Sequence, residues 1–170
     1  MSTLVAFGNL ERPFGRMAMS VLGELAALPR PVIIQAGVNH ASFRNMPPYV
    51  TVFPTCGFEE FEQLVTDATA VVTHGGAGTI HLAVSNGLLP AVFVRNGDMG
   101  EHIDNHQVEW CQSLFAAGLG VEMRDSGSLR HFLVRRQFAQ ADEVAARKFF
   151  DCSGLRADLH GYIRATLAGK

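Results

Sequence analysis

The chain has 170 residues, 48% hydrophobic and 18% charged, with a formal net charge of −2. That composition supports one packed domain, or a domain with a tail, and excludes disorder; the lack of a basic excess argues against a general nucleic-acid binder. The longest apolar run, Leu88 to Val94, is about seven residues, far below the roughly 20 that cross a bilayer. The N-terminus has no basic segment ahead of its apolar residues, so a soluble, cytoplasmic chain is expected.

In chain order, TLVAFG (3–8) reads as a strand and residues 14–28 as an amphipathic helix with Met17, Val21, Leu25 and Leu28 on its apolar face. PVIIQAG (31–37) is a buried strand, followed by a polar stretch through Pro48 and a short strand at 50–53. Phe58–Asp67 reads as a helix, with Glu59, Glu60 and Glu62 suited to the positive end of its dipole. AVVTH (70–74) is a strand and GAGTIHLAVSNG a helix ended by Asn86-Gly87. PAVFV (90–94) is a strand, Ile103–Ala117 a helix and GVEM (120–123) a last strand. Two or three helices, broken near Ser153-Gly154, are expected over 128–168. Apolar strands alternating with helices predict α/β, a Rossmann-like doubly wound parallel sheet. Ligands of such sheets bind beyond the carboxyl ends of the strands, which points to the loops 8–14, 37–48, 74–79 and 95–106.

Two of these loops carry the chemistry. THGGAGT (73–79) has three glycines at a strand-to-helix junction. Backbone N–H groups there can approach an anion closely, at the positive end of a helix, so a diphosphate is the natural ligand. A dinucleotide fingerprint is the rival reading: Gly76 and Gly78 precede His81 where a third glycine belongs, and Asp98 lies about 20 residues on. RNGDMGEHIDNHQ (95–107) is dense in Asp, Glu, His and Gln, groups that donate to and accept from sugar hydroxyls. His102 and His106 are four residues apart and would share a helix face, but no third metal ligand is evident, so no metal is expected. The glycine after the first strand, Gly8, with Asn9, is placed at the floor of the same cleft.

Taken together, Gly8 after the first strand, IIQAG, VVTHGGAGTI and GEHIDNHQ resemble the carboxyl-terminal, donor-binding half of family 28 glycosyltransferases. The likeness covers about residues 3–122 and is nearest to short, free-standing members of the PssE type from exopolysaccharide synthesis, and to the soluble subunit of the eukaryotic split N-acetylglucosaminyltransferase. It implies one half of a GT-B fold over 1–123, with a helical extension over 124–170. It also implies a metal-independent, inverting transferase taking a sugar from a nucleotide, commonly UDP, to a lipid-linked polysaccharide precursor. Carried over by position, Gly75, Gly76, Ala77, Gly78 and Thr79 hold the donor diphosphate. His106 and Gln107 meet the donor sugar, and Glu101 is a further candidate there. No cofactor is implied. A membrane-associated, acceptor-binding subunit would be the partner and would supply the catalytic base, with His74 as the candidate within this chain. Membrane contact would then be peripheral, through that partner. Two positions depart from the family: Asn9 replaces the usual Thr, and Leu82 replaces the usual ribose-binding Glu. The second keeps open an alternative, a catalytically inactive binding or scaffold subunit.

Charge is uneven: residues 123–170 carry a net +4 and residues 1–122 a net −6. A basic helical tail can face anionic lipid or an acidic partner, and is more often only a solvated surface. Cys56, Cys111 and Cys152 lack metal or redox spacing and read as reduced thiols. An isolated half-enzyme is expected to self-associate, with residues 46–49 and the basic tail as candidate faces.

Overall fold

Val, Ile and Ala fill the strand segments, so the central strands need cover on both faces. The computed structural model describes residues 2–135 and 141–151, and provides that cover. Strands β1 (Thr3–Ala6), β2 (Val32–Gln35), β3 (Val50–Phe53), β4 (Ala70–His74), β5 (Ala91–Phe93) and β6 (Val121–Met123) form one sheet. All pairings are parallel, in the order β3-β2-β1-β4-β5-β6. The doubly wound α/β fold is therefore present.

The period of two along the strands divides the core. Val5, Val72, Ala91 and Phe93 face helices α1 (Gly15–Glu24) and α5 (Ser126–Val134), in one cluster with Met17, Val21, Leu129 and Phe132. On the other face Leu4 and Val71 meet Val65 of α2 (Phe58–Asp67) and Ala83 of α3 (Ala77–Ser85). Val92 meets Ile80 and Val84 of α3, Cys111 and Leu114 of α4 (His106–Ala116) and Ala146 of α6 (Glu143–Phe150). Glu24, nearly buried on α1, takes a two-pronged bond from Arg130 on α5, at 3.0 and 3.1 Å.

Three sequence expectations change. The stretch after β2 contains a 3-10 turn, Gly37–Ser42. The amphipathic helix from residue 14 passes into a 3-10 turn at Leu25–Ala27. The helix expected from Ile103 begins only at His106. Local side-chain bonds compete with helix there: Asn105 Oδ1 accepts from Gly97 N–H at 2.8 Å, and Asp104 Oδ1 accepts from His106 N–H at 3.1 Å. His102 thus lies outside the helix, and the shared helix face expected for His102 and His106 does not exist. The break expected near Ser153 lies outside the described residues.

Candidate functional site

The chain runs outward from β1 to β3, then returns to place β4 on the other side of β1. Loops after β1 and β4 therefore diverge, leaving a crevice at their carboxyl ends. Gly8 follows β1 and His74 ends β4, so both line it. The imidazole of His74 is wedged between two glycines. A Cβ on Gly8 would lie 2.5 Å from the ring, and one on Gly76 would collide with it. Gly8 also has φ of +74°, a left-handed conformation that side chains resist. His74 Nδ1 lies 3.3 Å from the carbonyl of Ala6, which places the proton on Nδ1. Burial, aided by the nearby Arg95 charge, pushes the imidazole pKa down to about 4, so the ring is neutral at pH 7.

Gly76 is the N-cap of α3 and offers no side chain to its first turn. The N–H groups of Ala77, Gly78 and Thr79 have no partner within the helix. Gly78 differs from Gly76 and Gly75: a Cβ there would meet nothing within 4 Å, and its φ is ordinary. Neither packing nor backbone geometry requires glycine at 78. The space above it belongs to a cavity of about 410 Å³, lined by Gly8, Asn9 and Gln35 on one side and by Gly78, Thr79 and Leu82 on the other. Cys56, Phe58 and Phe61 add an apolar wall. Gln35 fixes the floor: its Oε1 accepts from Gly8 N–H at 2.9 Å, and its Nε2 donates to Asn9 Oδ1 at 3.3 Å. A larger hollow, about 640 Å³, lies between α3 and α6 and includes none of the glycine loop.

The loop after β5 is organised by Arg95, which sequence reading placed only at its boundary. Its guanidinium is fully buried and donates to the carbonyls of Arg12 and Glu101 at 3.0 Å and of Phe7 at 3.1 Å. It also sits over the Phe14 ring at 4.6 Å. Burial lowers its pKa to about 10, against the opposing pull of Glu101. One cation thus ties the loops after β1 and β5 together. The signal available in sequence was an arginine directly after a buried strand, which is costly unless its donors are used.

Glu101 is nearly buried, and its carboxylate holds Arg16 at 2.9 and 3.1 Å and accepts from Asn96 N–H at 3.1 Å. That arrangement commits the carboxylate to the loop. Gln107, on the first turn of α4, is 8% exposed, and its Oε1 has no hydrogen-bond partner among the described residues. That oxygen abuts the glycine loop, since a Cβ on Gly75 would lie 2.9 Å from it. A buried, unpaired acceptor beside an anion cradle is poised to take a ligand hydroxyl. His106 projects to solvent beside Asp104. Asp98 is exposed in a turn beyond β5 and accompanies a glycine loop that follows β4, which does not match the dinucleotide arrangement.

The two described thiols, Cys56 and Cys111, have no catalytic setting. Burial pushes Cys111 up to about 12 and raises Cys56 as well; Cys152 lies outside the described residues. Met46 and Tyr49, expected at an association face, are partly buried and pack in part against the α1-side core. Of the basic tail, residues 136–140 and 152–170 lie outside the described residues.

Comparison with known proteins follows the same lines. Residues 22–133 match the model of the glycosyltransferase family 28 C-terminal domain. Curated proteins give no match. Among solved structures, the chain is similar to the glycotransferase of kitacinnamycin, with 23% identity and a TM-score of 0.63, over 94% of this chain and 39% of that one. It is also similar to the glycosyltransferase SnogD from Streptomyces nogalater, with 20% identity and a TM-score of 0.56, over 87% and 37% respectively. At these identities the likeness concerns the fold. The chain spans about two-fifths of the length of these structures.

Proposed function

Because the chain belongs to the glycosyltransferase family 28 C-terminal domain family, we propose that it is the donor-binding subunit of a split, inverting GT-B glycosyltransferase. The donor in this reading is a nucleotide sugar, UDP-linked, and the acceptor a lipid-linked polysaccharide precursor. The observation that carries the reading is the open space over Gly78 at the uncapped N-terminus of α3, continuous with a cavity at the switch point. Gly75, Gly76, Ala77, Gly78 and Thr79 hold the diphosphate. The N–H groups and helix dipole stabilise charge that grows on the leaving nucleotide, so no divalent cation is needed there. The Phe58 and Phe61 wall suits the flat face of a base. Gln107, with its unpaired oxygen, takes a donor-sugar hydroxyl, aided by His106; Glu101 holds the loop beneath them.

His74 is a neutral wall of this cleft and a weak base, so proton removal from the acceptor falls to the partner subunit. The apolar side chains of Val38, Met99 and Ile103, in the segments after β2 and β5, and of Phe58, at the start of α2, are exposed, which supports a partner seated over the cleft. In this reading the partner is membrane-associated and brings the chain to the membrane surface.

Calorimetry with UDP and a panel of other nucleotides tests the donor site. Micromolar to millimolar binding is expected, weakened about tenfold or more by Gly78→Val, a change the fold has room for. Absence of binding to every nucleotide would overturn the reading. Leu82 lines the cavity where a ribose-binding carboxylate is implied, and this favours a second reading, a scaffold subunit without transferase activity. Transfer by the chain co-expressed with its acceptor-type partner separates the two, since a scaffold gives none.

A further inference from the structure

His102, Asp104 and His106 alternate along the turn that leads into α4. The turn adds Asp104, which a helix would have turned to its other side, to the two histidines. The two imidazoles stand edge to face, 4.7 Å between centroids at 88°. Asp104 Oδ1 lies 3.2 Å from His102 Nδ1 and also contacts His106 Nδ1. One nitrogen or oxygen from each residue falls within 4.8 Å of the other two. A tetrahedral ion with bonds of about 2.0–2.1 Å needs ligand atoms roughly 3.3 Å apart, a small rotation away for exposed side chains.

We propose that His102, Asp104 and His106 form a binding site for a divalent transition-metal ion, with Zn²⁺ the ion that fits best. The scaffold is already fixed. Asn105 is held by Gly97 N–H, and Asp104 carbonyl lies where a Cβ on Gly97 would touch it at 2.8 Å, so glycine permits the close turn. His102 Nδ1 accepts the Asp104 N–H at 3.3 Å, a long bond that a metal ion at Nδ1 replaces. The N–H of His106 donates to Asp104 Oδ1 at 3.1 Å and orients the carboxylate. The His102 side chain is 9% exposed and anchors one ligand, while Asp104 and His106 are 56% and 64% exposed. That asymmetry leaves the remaining coordination positions to water. Two imidazoles and one carboxylate select Zn²⁺, Ni²⁺ or Cu²⁺ over Mg²⁺ or Ca²⁺, which demand oxygen-rich cages. The ion is thus of a different kind from a diphosphate-bridging cation, and it shares His106 with the donor-sugar contact proposed above, while its binding is read without any nucleotide or sugar present.

The test uses the full chain, stripped with a chelator and titrated with ZnCl₂ by calorimetry, with Co²⁺ visible absorption as a second signal. One saturable equivalent of Zn²⁺ is expected. Asp104→Asn and His106→Gln, both at exposed positions, each weaken it about tenfold or more. His40→Gln and His131→Gln, at exposed positions remote in sequence, leave it unchanged. Absence of saturable binding to the unaltered chain, or binding retained in both Asp104→Asn and His106→Gln, would overturn the proposal. Circular dichroism of the two variants shows that a loss is not unfolding.

Discussion

At the residue scale, His74 links packing to pH. Its ring fills the gap left by Gly8 and Gly76, and its low pKa follows from burial beside Arg95. The unfolded chain binds this proton near pH 6.5, the folded chain only near 4. Between those values the unfolded state holds more protons, so acid withdraws stability across that window. Urea unfolding midpoints should therefore fall as pH drops from about 6.5 to about 4, and His74→Gln should flatten that slope. An unchanged slope in the variant would remove His74 from the explanation. The sequence marked His74 as a cleft residue because it ends a strand ahead of three glycines. Its neutral state comes from burial, with the Arg95 charge from the loop after β5 adding to it and the Ala6 carbonyl of β1 opposing it. Arg95 itself was legible only as an arginine after an apolar strand. Its three carbonyl partners are 6, 83 and 88 residues away in sequence, and no local pattern encodes them.

Among elements, the strands and α2 follow directly from their sequence patterns. VTVF and AVVTH are bounded as their apolar runs suggest, and α2 spans Phe58–Asp67 with Glu59 and Glu60 at its positive end. Helix α4 does not, because Asp104 and Asn105 bond locally and hold residues 97–105 in turns. Helix α5 starts at Ser126 on a capping box made by Asp125 and Ser128. Its Leu129, Phe132 and Leu133 join the core beside α1, so α5 is structural rather than a loose appendage. Leu129→Ala should cost about 2–5 kcal/mol in denaturant unfolding. A loss below about 0.5 kcal/mol would mean that α5 contributes little to the fold.

On the scale of the whole molecule, the described residues hold no helix long and apolar enough to cross a membrane. What the sheet presents at its carboxyl edge is a cleft with an exposed apolar border. Met99 and Ile103 are 61% and 73% exposed there. Replacing both with serine should leave stability within about 0.5 kcal/mol. The same change should weaken association with an acceptor-type partner, read by pull-down and sedimentation of the co-expressed pair. Undiminished association would move the partner surface elsewhere.

The sequence by itself determined the class of fold, the place of the glycine loop and the family, because strand and helix periodicity and the 73–79 and 101–107 motifs are local. The tertiary structure alone decided which glycines serve packing and which leave room for a ligand. It paired Glu101 with Arg16, left the Gln107 oxygen unpaired against Gly75, and gathered His102, Asp104 and His106 into one cluster. Each of these depends on where side chains meet across strands or around a non-helical turn, and hydropathy along the chain carries no record of that distance.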